Sequence, residues 1–232
     1  MSKKRSVLIA AMLLGLASGS SANELIQNGS FEDGFFIENA SNRGLPGPIL
    51  QPHAMLVEKD DTSSIAHWQT VGDTIGWFEP GSVYGLSASN GNRFLDLSGW
   101  IRQSPFGGVK QTIATVVGQR YKLSFDLGYS QQYGNDATIK ASAGLDPLDI
   151  RQFTIGCCNG LNKWNTFGFE FTAKAATTDI VLAEAFPSRD YVGLDNVSVQ
   201  TVAAPVPEPE TYAMMLAGLG LMGVAVRRRK QR

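Results

Sequence analysis

From Asn23 to about Thr201 the apolar residues recur at every second position, and no helical stripe interrupts them. In "YKLSFDLGY", Tyr121, Leu123, Phe125, Leu127 and Tyr129 fall on one side; in "WNTFGFEFTAK", Phe167, Phe169 and Phe171 do the same. "VKQTIATV" sets Val109, Gln111 and Ile113 together, and "YVGLDNVSVQ" runs Leu194, then Val197 and Val199, with a shift of phase near Asp195. Strict alternation marks strands with one buried and one solvated face. The runs are separated by turn signals, "NGN" (90–92), "FGG" (106–108), "VVGQ" (116–119) and "YGND" (133–136). Short strands at this spacing predict one all-β domain, a two-sheet sandwich first and a closed barrel second. "NRGLPGPILQP" (42–52) cannot be a central strand because its prolines remove ladder donors, so 39–69 reads as a loop excursion.

Both ends depart from this pattern. Lys3, Lys4 and Arg5 precede the apolar run Val7 to Ala17, and Ser20-Ser21-Ala22 supplies small residues for cleavage. Residues 1–22 therefore read as a secretory signal peptide rather than an anchor, which implies export. At the other end Pro207-Glu208-Pro209 is followed by an apolar stretch and then by Arg227, Arg228, Arg229 and Lys230. Thr211 to Val226 makes about 24 Å of helix against a hydrocarbon core of about 30 Å. A short transmembrane helix of marginal span is expected, with its basic end cytoplasmic and the body on the periplasmic side. The chain thus divides into 1–22, a sandwich over 23–201, a linker over 202–206 and a terminal segment over 207–232.

Setting the ends aside changes the charge. Residues 23–206 hold twelve basic and nineteen acidic side chains, a net of −7 with His neutral. Nucleic acid, which demands a basic footprint, is excluded as a partner. The two cysteines, Cys157 and Cys158, are adjacent, which suits neither a disulfide framework nor a metal-ligand spacing; a vicinal disulfide, a bond between chains and two idle thiols remain open. His53 and His67 sit in no metal motif, and no nucleophile elbow, zincin helix or phosphate loop is present. No catalytic residue is assigned.

The ordered segments "ELIQNGSFEDG" (24–34), "IGWF" (75–78), "GNRFLDLSG" (91–99), "GGVKQTIATVVGQRYKLSFDLG" (107–128), "WNTFGFEFTA" (164–173) and "YVGLDNVSVQ" (191–200) carry a family likeness. Together they resemble the galactose-binding-like jelly rolls, above all the cell-wall-associated family of unknown function best known in plants, and in outline certain carbohydrate-binding modules. The resemblance implies a two-sheet jelly roll with its first and last strands close together, extracellular and glycan-related. It also implies a structural calcium (Ca2+) at the matching acids Glu32 and Asp195; the alternative is a turn acid and a side chain that satisfies backbone N–H groups.

Glycan binding calls for exposed aromatic faces. Trp100, Phe106, Tyr129 and Tyr133 lie on or near turns and are the candidates, with Trp77 available. Trp164 is assigned to the core, continuing the Phe167 stripe.

The tail resembles the PEP-CTERM sorting signals, with Pro207, Glu208 and Pro209 as the motif and Arg227 to Lys230 as the basic stop. That likeness implies an exosortase-type processing enzyme and a precursor held at the inner membrane, then release to the cell surface or extracellular matrix. A permanent anchor is the alternative. The reading is an exported, non-catalytic glycan-binding module with polysaccharide as partner. A structural or adhesive matrix protein comes second, and a glycoside-acting enzyme third.

Overall fold

The computed structural model describes residues 23–38, 40–41, 53–82, 85–98, 104–130, 136–146, 149–157, 163–186, 191–202 and 209–229. The signal peptide, Pro207, Glu208, Lys230, Trp100, Tyr133 and Cys158 lie outside the described residues. Twelve strands are described: β1 (Ala40–Ser41), β2 (Ala54–Val57), β3 (Gln69–Val71), β4 (Ile75–Phe78), β5 (Phe94–Asp96), β6 (Gly108–Ala114), β7 (Arg120–Tyr129), β8 (Ala137–Ala143), β9 (Ile150–Ile155), β10 (Trp164–Thr172), β11 (Thr177–Glu184) and β12 (Val192–Thr201). They form a seven-stranded sheet, β1-β2-β4-β5-β12-β7-β10, and a five-stranded sheet, β3-β6-β11-β8-β9. All pairings are antiparallel except β1 with β2. This is the two-sheet sandwich that the alternation predicts and the jelly roll that the resemblance implies.

The period-two stripes become the core. Tyr121, Leu123, Phe125 and Leu127 of β7, Val109 and Ile113 of β6, and Ile139 and Ala141 of β8 are buried between the sheets. Leu194, Val197 and Val199 of β12 join them across a change of register between Asp195 and Ser198. Asn196 takes a left-handed φ of 51° there, the extra residue of a bulge that keeps both halves of β12 facing inward. Gln111, polar in an apolar row, is satisfied by the N-terminal segment. Its Oε1 accepts from the Gln27 N–H at 2.8 Å and its Nε2 donates to the Gln27 carbonyl at 2.9 Å.

The expected excursion over 39–69 contains the short strands β1 and β2 and ends on the first residue of β3. Proline-free "AMLV" forms β2, pairing with β4 from Ala54↔Phe78 to Val57↔Ile75 and burying Met55 and Val57. Four residues are too few for alternation to stand out from the loop chemistry around them.

Both ends of the domain meet at one rim. Glu24 bridges Gln200, and the Leu25 N–H donates to the Val199 carbonyl at 2.9 Å. Val202, just past β12, donates to the Arg120 carbonyl at 2.9 Å. The turns that follow β6, β8 and β10 lie at this same rim. There Gly118 donates to the Ala173 carbonyl and Gly144 to the Asp179 carbonyl, both at 2.8 Å.

Beyond it, helix α1 (Pro209–Arg229) starts on a proline, which suits a first helical position whose N–H has no helical partner. Its apolar side chains from Met214 to Met222 are exposed. The transmembrane expectation is corrected in one respect: no helix among the described residues is long and apolar enough to cross a membrane. The helix runs on through the arginines, and Gly218, Gly220 and Gly223 dilute its apolar part.

The core assignment is tested by truncation. Phe125→Ala should lower unfolding free energy by about 3–5 kcal/mol in chemical denaturation. Val116→Ala, on an exposed turn, should stay within about 0.5 kcal/mol.

Candidate functional site

The outer face of the larger sheet is not left to solvent. Phe78 of β4 and Phe94 of β5 stack at 5.4 Å, and Trp164 of β10 meets Phe94 edge-on at 5.7 Å. The segment 85–93 crosses this apolar patch as a strap and seats Leu86 on it. Trp164 Nε1 donates to the Ser87 carbonyl at 2.8 Å. The indole lies against two glycines: a Cβ on Gly128 would come within 2.6 Å of it, and one on Gly193 within 2.9 Å. The inter-sheet core assignment for Trp164 is therefore corrected. An odd separation from Phe167 turns it to the opposite face of β10, where the strap covers it.

A strap brings backbone amides with it, and these need acceptors. Carboxylates supply them. Asp195 Oδ2 accepts from the N–H groups of Ser89 and Asn90 at 2.8 and 2.9 Å, and Oδ1 from Asn196 at 2.7 Å. Glu32 Oε1 accepts from the N–H groups of Asn92 and Arg93, both at 2.7 Å. Arg93 returns the contact by donating to the Glu32 carbonyl at 2.7 Å and pairing with Glu79 at 2.6 Å. Gly91 sits between the two clamps at φ +74°, where a Cβ would lie 2.4 Å from Glu32 Oε1. A neighbouring carboxylate, Asp126 of β7, faces Asp195 in register. It accepts from Ser89 Oγ at 2.5 Å, Thr166 Oγ1 at 2.6 Å and Asn196 Nδ2 at 3.2 Å.

The two acids singled out in the sequence thus hold one element. Asp195 is fully buried (0 % exposed) and lies inside β12. Burial pushes its carboxyl up to about 7; the Asn90, Asn196 and Ser89 amides pull the other way, and the Asp126 charge adds to the rise.

Calcium needs six to eight oxygen ligands. Among the described residues no group of three or more His, Cys, Asp or Glu side chains could hold a metal. Both Asp195 oxygens and Glu32 Oε1 already face amide hydrogens, positive poles that oppose a cation at the same atoms. The residues present fit an amide clamp, the alternative in which both acids satisfy backbone N–H groups. Sequence reasoning found both acids but not their shared strap, which has no periodic signal.

The aromatic candidates separate. Tyr129 is 1 % exposed and belongs to the core, so that position is corrected: its place on the β7 stripe decides its direction, not its nearness to a turn. Phe106 is half-buried, and Trp77 is buried with its Nε1 donating to the Phe31 carbonyl at 3.0 Å. Phe186, not anticipated, is 57 % exposed after β11. Cys157 is disulfide-bonded, and the chain's one other cysteine is Cys158.

Two measurements check the clamp. The folded state holds a proton on Asp195 up to about pH 7, while the unfolded chain releases it near 3.8. Protonation therefore favours folding, a contribution fully present below pH 3.8 and lost as pH rises through 7. Relative to the Asp195→Asn variant, wild-type stability should fall between about pH 4 and pH 7 and level off above that; a pH-independent difference would remove the assignment. Melting temperatures in calcium and in chelator should coincide, and a rise with calcium would restore the metal reading.

Known proteins share this architecture. A cyclase from Fischerella sp. TAU superposes with a TM-score of 0.51 at 18 % identity, over 80 % of this chain and 100 % of that one. A CBM4 structure gives 0.44 at 14 % identity, over 76 % and 99 % of the two chains. TmCBM61, in complex with β-1,4-galactotriose, gives 0.46 at 14 % identity, over 78 % and 99 %. At these identities the likeness to the cyclase is one of fold alone, and the two lower scores carry no argument. No curated protein matches. Residues 205–230 match the PEP-CTERM protein-sorting motif. Residues 24–199, the whole sandwich from Glu24 to Val199, match the family described as protein of unknown function DUF642, and the chain belongs to that family.

Proposed function

We propose that this is an exported envelope or matrix protein whose tail holds it at the inner membrane until an exosortase-type enzyme acts, and whose sandwich then binds polysaccharide without catalysing a reaction. The observation that carries the reading is the sorting motif over 205–230, which begins a few residues after β12 leaves the domain. A short helix with exposed apolar side chains and a basic end suits a temporary hold. An acidic, oxygen-rich body suits hydroxyl-rich partners better than nucleic acid. The outer face of the smaller sheet supports this with cross-strand pairs of hydrogen-bonding side chains. Lys110 stands beside Gln69, Thr112 beside Asp179, Lys140 beside Gln152 and Thr138 beside Thr154.

One observation favours a structural or adhesive matrix role instead. Among the described residues that face carries no aromatic ring on which a sugar could stack.

Fractionation separates the parts of the proposal. Tagged full-length protein should be membrane-bound in cells lacking the exosortase and appear as a shortened, released form in cells that have it. A released form that still carries Arg227 to Arg229 would defeat the processing step. The released protein should be retarded in affinity gels containing polysaccharide and should liberate no reducing sugar. Retardation by none of the gels would leave the matrix role.

A further inference from the structure

At the rim where the termini meet, a cavity of about 500 Å3 opens between the turn after β8 and the turn after β10. A second opening of about 280 Å3 shares Asp146, Asp149, Phe171, Thr172 and Lys174 with it and continues to Arg120 and Glu170. The two make one groove that crosses the rim from the smaller sheet to the larger. We propose that this groove is the saccharide site, and that it takes uncharged or amino-bearing sugar residues and rejects acidic ones. The inference rests on the polysaccharide-binding reading above and gives it a location and a specificity.

Charge decides the class of ligand. Lys174 is paired with Asp146, and Arg120 with Glu170. Asp179 accepts from Thr112 Oγ1 at 2.5 Å and lies 4.0 Å from Lys110 Nζ. Each cation that lines the groove is thus matched, and Asp149 adds a half-buried carboxylate beyond these pairs. A uronate or sulfate would meet an excess of negative charge. A sugar hydroxyl or ammonium can instead donate to Asp149, and a charged acceptor strengthens such a bond.

The groove has an apolar part, with Phe171, Ala143 and Ala173 among its lining residues. Leu145 stands on the lip at 96 % exposure, a fully hydrated branched side chain that gains by covering the apolar face of a ring. A groove with an apolar base and a few fixed polar groups has the general character of a small-molecule site, and its size falls within the usual range. The alternation of strands could not announce it, because its polar members come from two turns and the ends of three strands.

The test uses the full chain in detergent micelles, run by affinity electrophoresis in gels containing dextran, glycol chitosan or alginate. Retardation is expected in dextran or glycol chitosan and not in alginate. Asp149→Ala and Leu145→Ser should each weaken it by about tenfold or more, while Asp149→Asn should weaken an amino-sugar gel more than a neutral one. Unchanged melting curves will show that the variants are folded, since Leu145 and Asp149 lie outside the core. Phe186→Ala, which does not line the groove, should migrate as wild type. Retardation that survives both Asp149→Ala and Leu145→Ser overturns the groove as the site while leaving polysaccharide binding in place. Stronger retardation in alginate overturns the charge argument. No retardation in any gel overturns the binding reading itself, and the groove with it.

Discussion

The strap from Gly85 to Arg93 is held by side-chain carboxylates that accept its amide hydrogens, and the apolar patch on the outer face of the larger sheet is covered by that arrangement. Phe78, Phe94 and Trp164 place an apolar patch on the sheet face that a sandwich normally leaves to water. Covering it requires backbone, and covered backbone requires acceptors, because an unpaired buried N–H costs about as much as a lost hydrogen bond. Asp195 and Glu32 meet the demand from opposite ends of the chain, one on the last strand and one shortly after the first bridge. The strap therefore ties together the N-terminal segment, β5 and β12. The strain of this solution falls on Asp195, a carboxylate with no exposed surface, set beside a second carboxylate and raised toward neutrality.

This arrangement assigns the two acids a structural duty and moves the search for function elsewhere. Their oxygens point at amides, so the patch of sheet under the strap is covered. What stays open is the rim where the termini meet, the polar face of the smaller sheet and the part of the larger sheet beyond the strap, where Lys122, Glu170 and Gln200 are exposed. The rim is also where the chain exits toward its sorting signal. Val202 donates to the carbonyl of Arg120, and Arg120 lines the groove. From Val202 the helix start at Pro209 is a few residues on, a step that reaches at most about 25 Å even when fully extended. The groove therefore opens beside the point where the chain leaves the sandwich.

How much of this is legible in advance depends on the range of the interaction. Alternation along β6, β7, β10 and β12 is legible because each strand faces the core with every second residue, and the phase shift near Asp195 marks the bulge at Asn196. The sorting signal is legible because it is contiguous. Strand β2 is not, since four residues between prolines and turns carry too little pattern. Trp164 and Tyr129 escape correct assignment for one reason: composition identifies an aromatic ring, but only strand parity says which face of the sheet it takes.

Residues close together in the chain therefore fix the all-β class, the sandwich, the inward stripes and the terminal address, and each of these can be read without coordinates. Packing of the two sheets fixes the rest: Glu32 and Asp195 clamp a strap, and the turns after β8 and β10 enclose a groove. Those features join residues far apart in the chain, such as Ser89 with Asp195. Hydrogen bonds and cavities of that kind form only when the sheets have packed, and no local pattern in the chain encodes them.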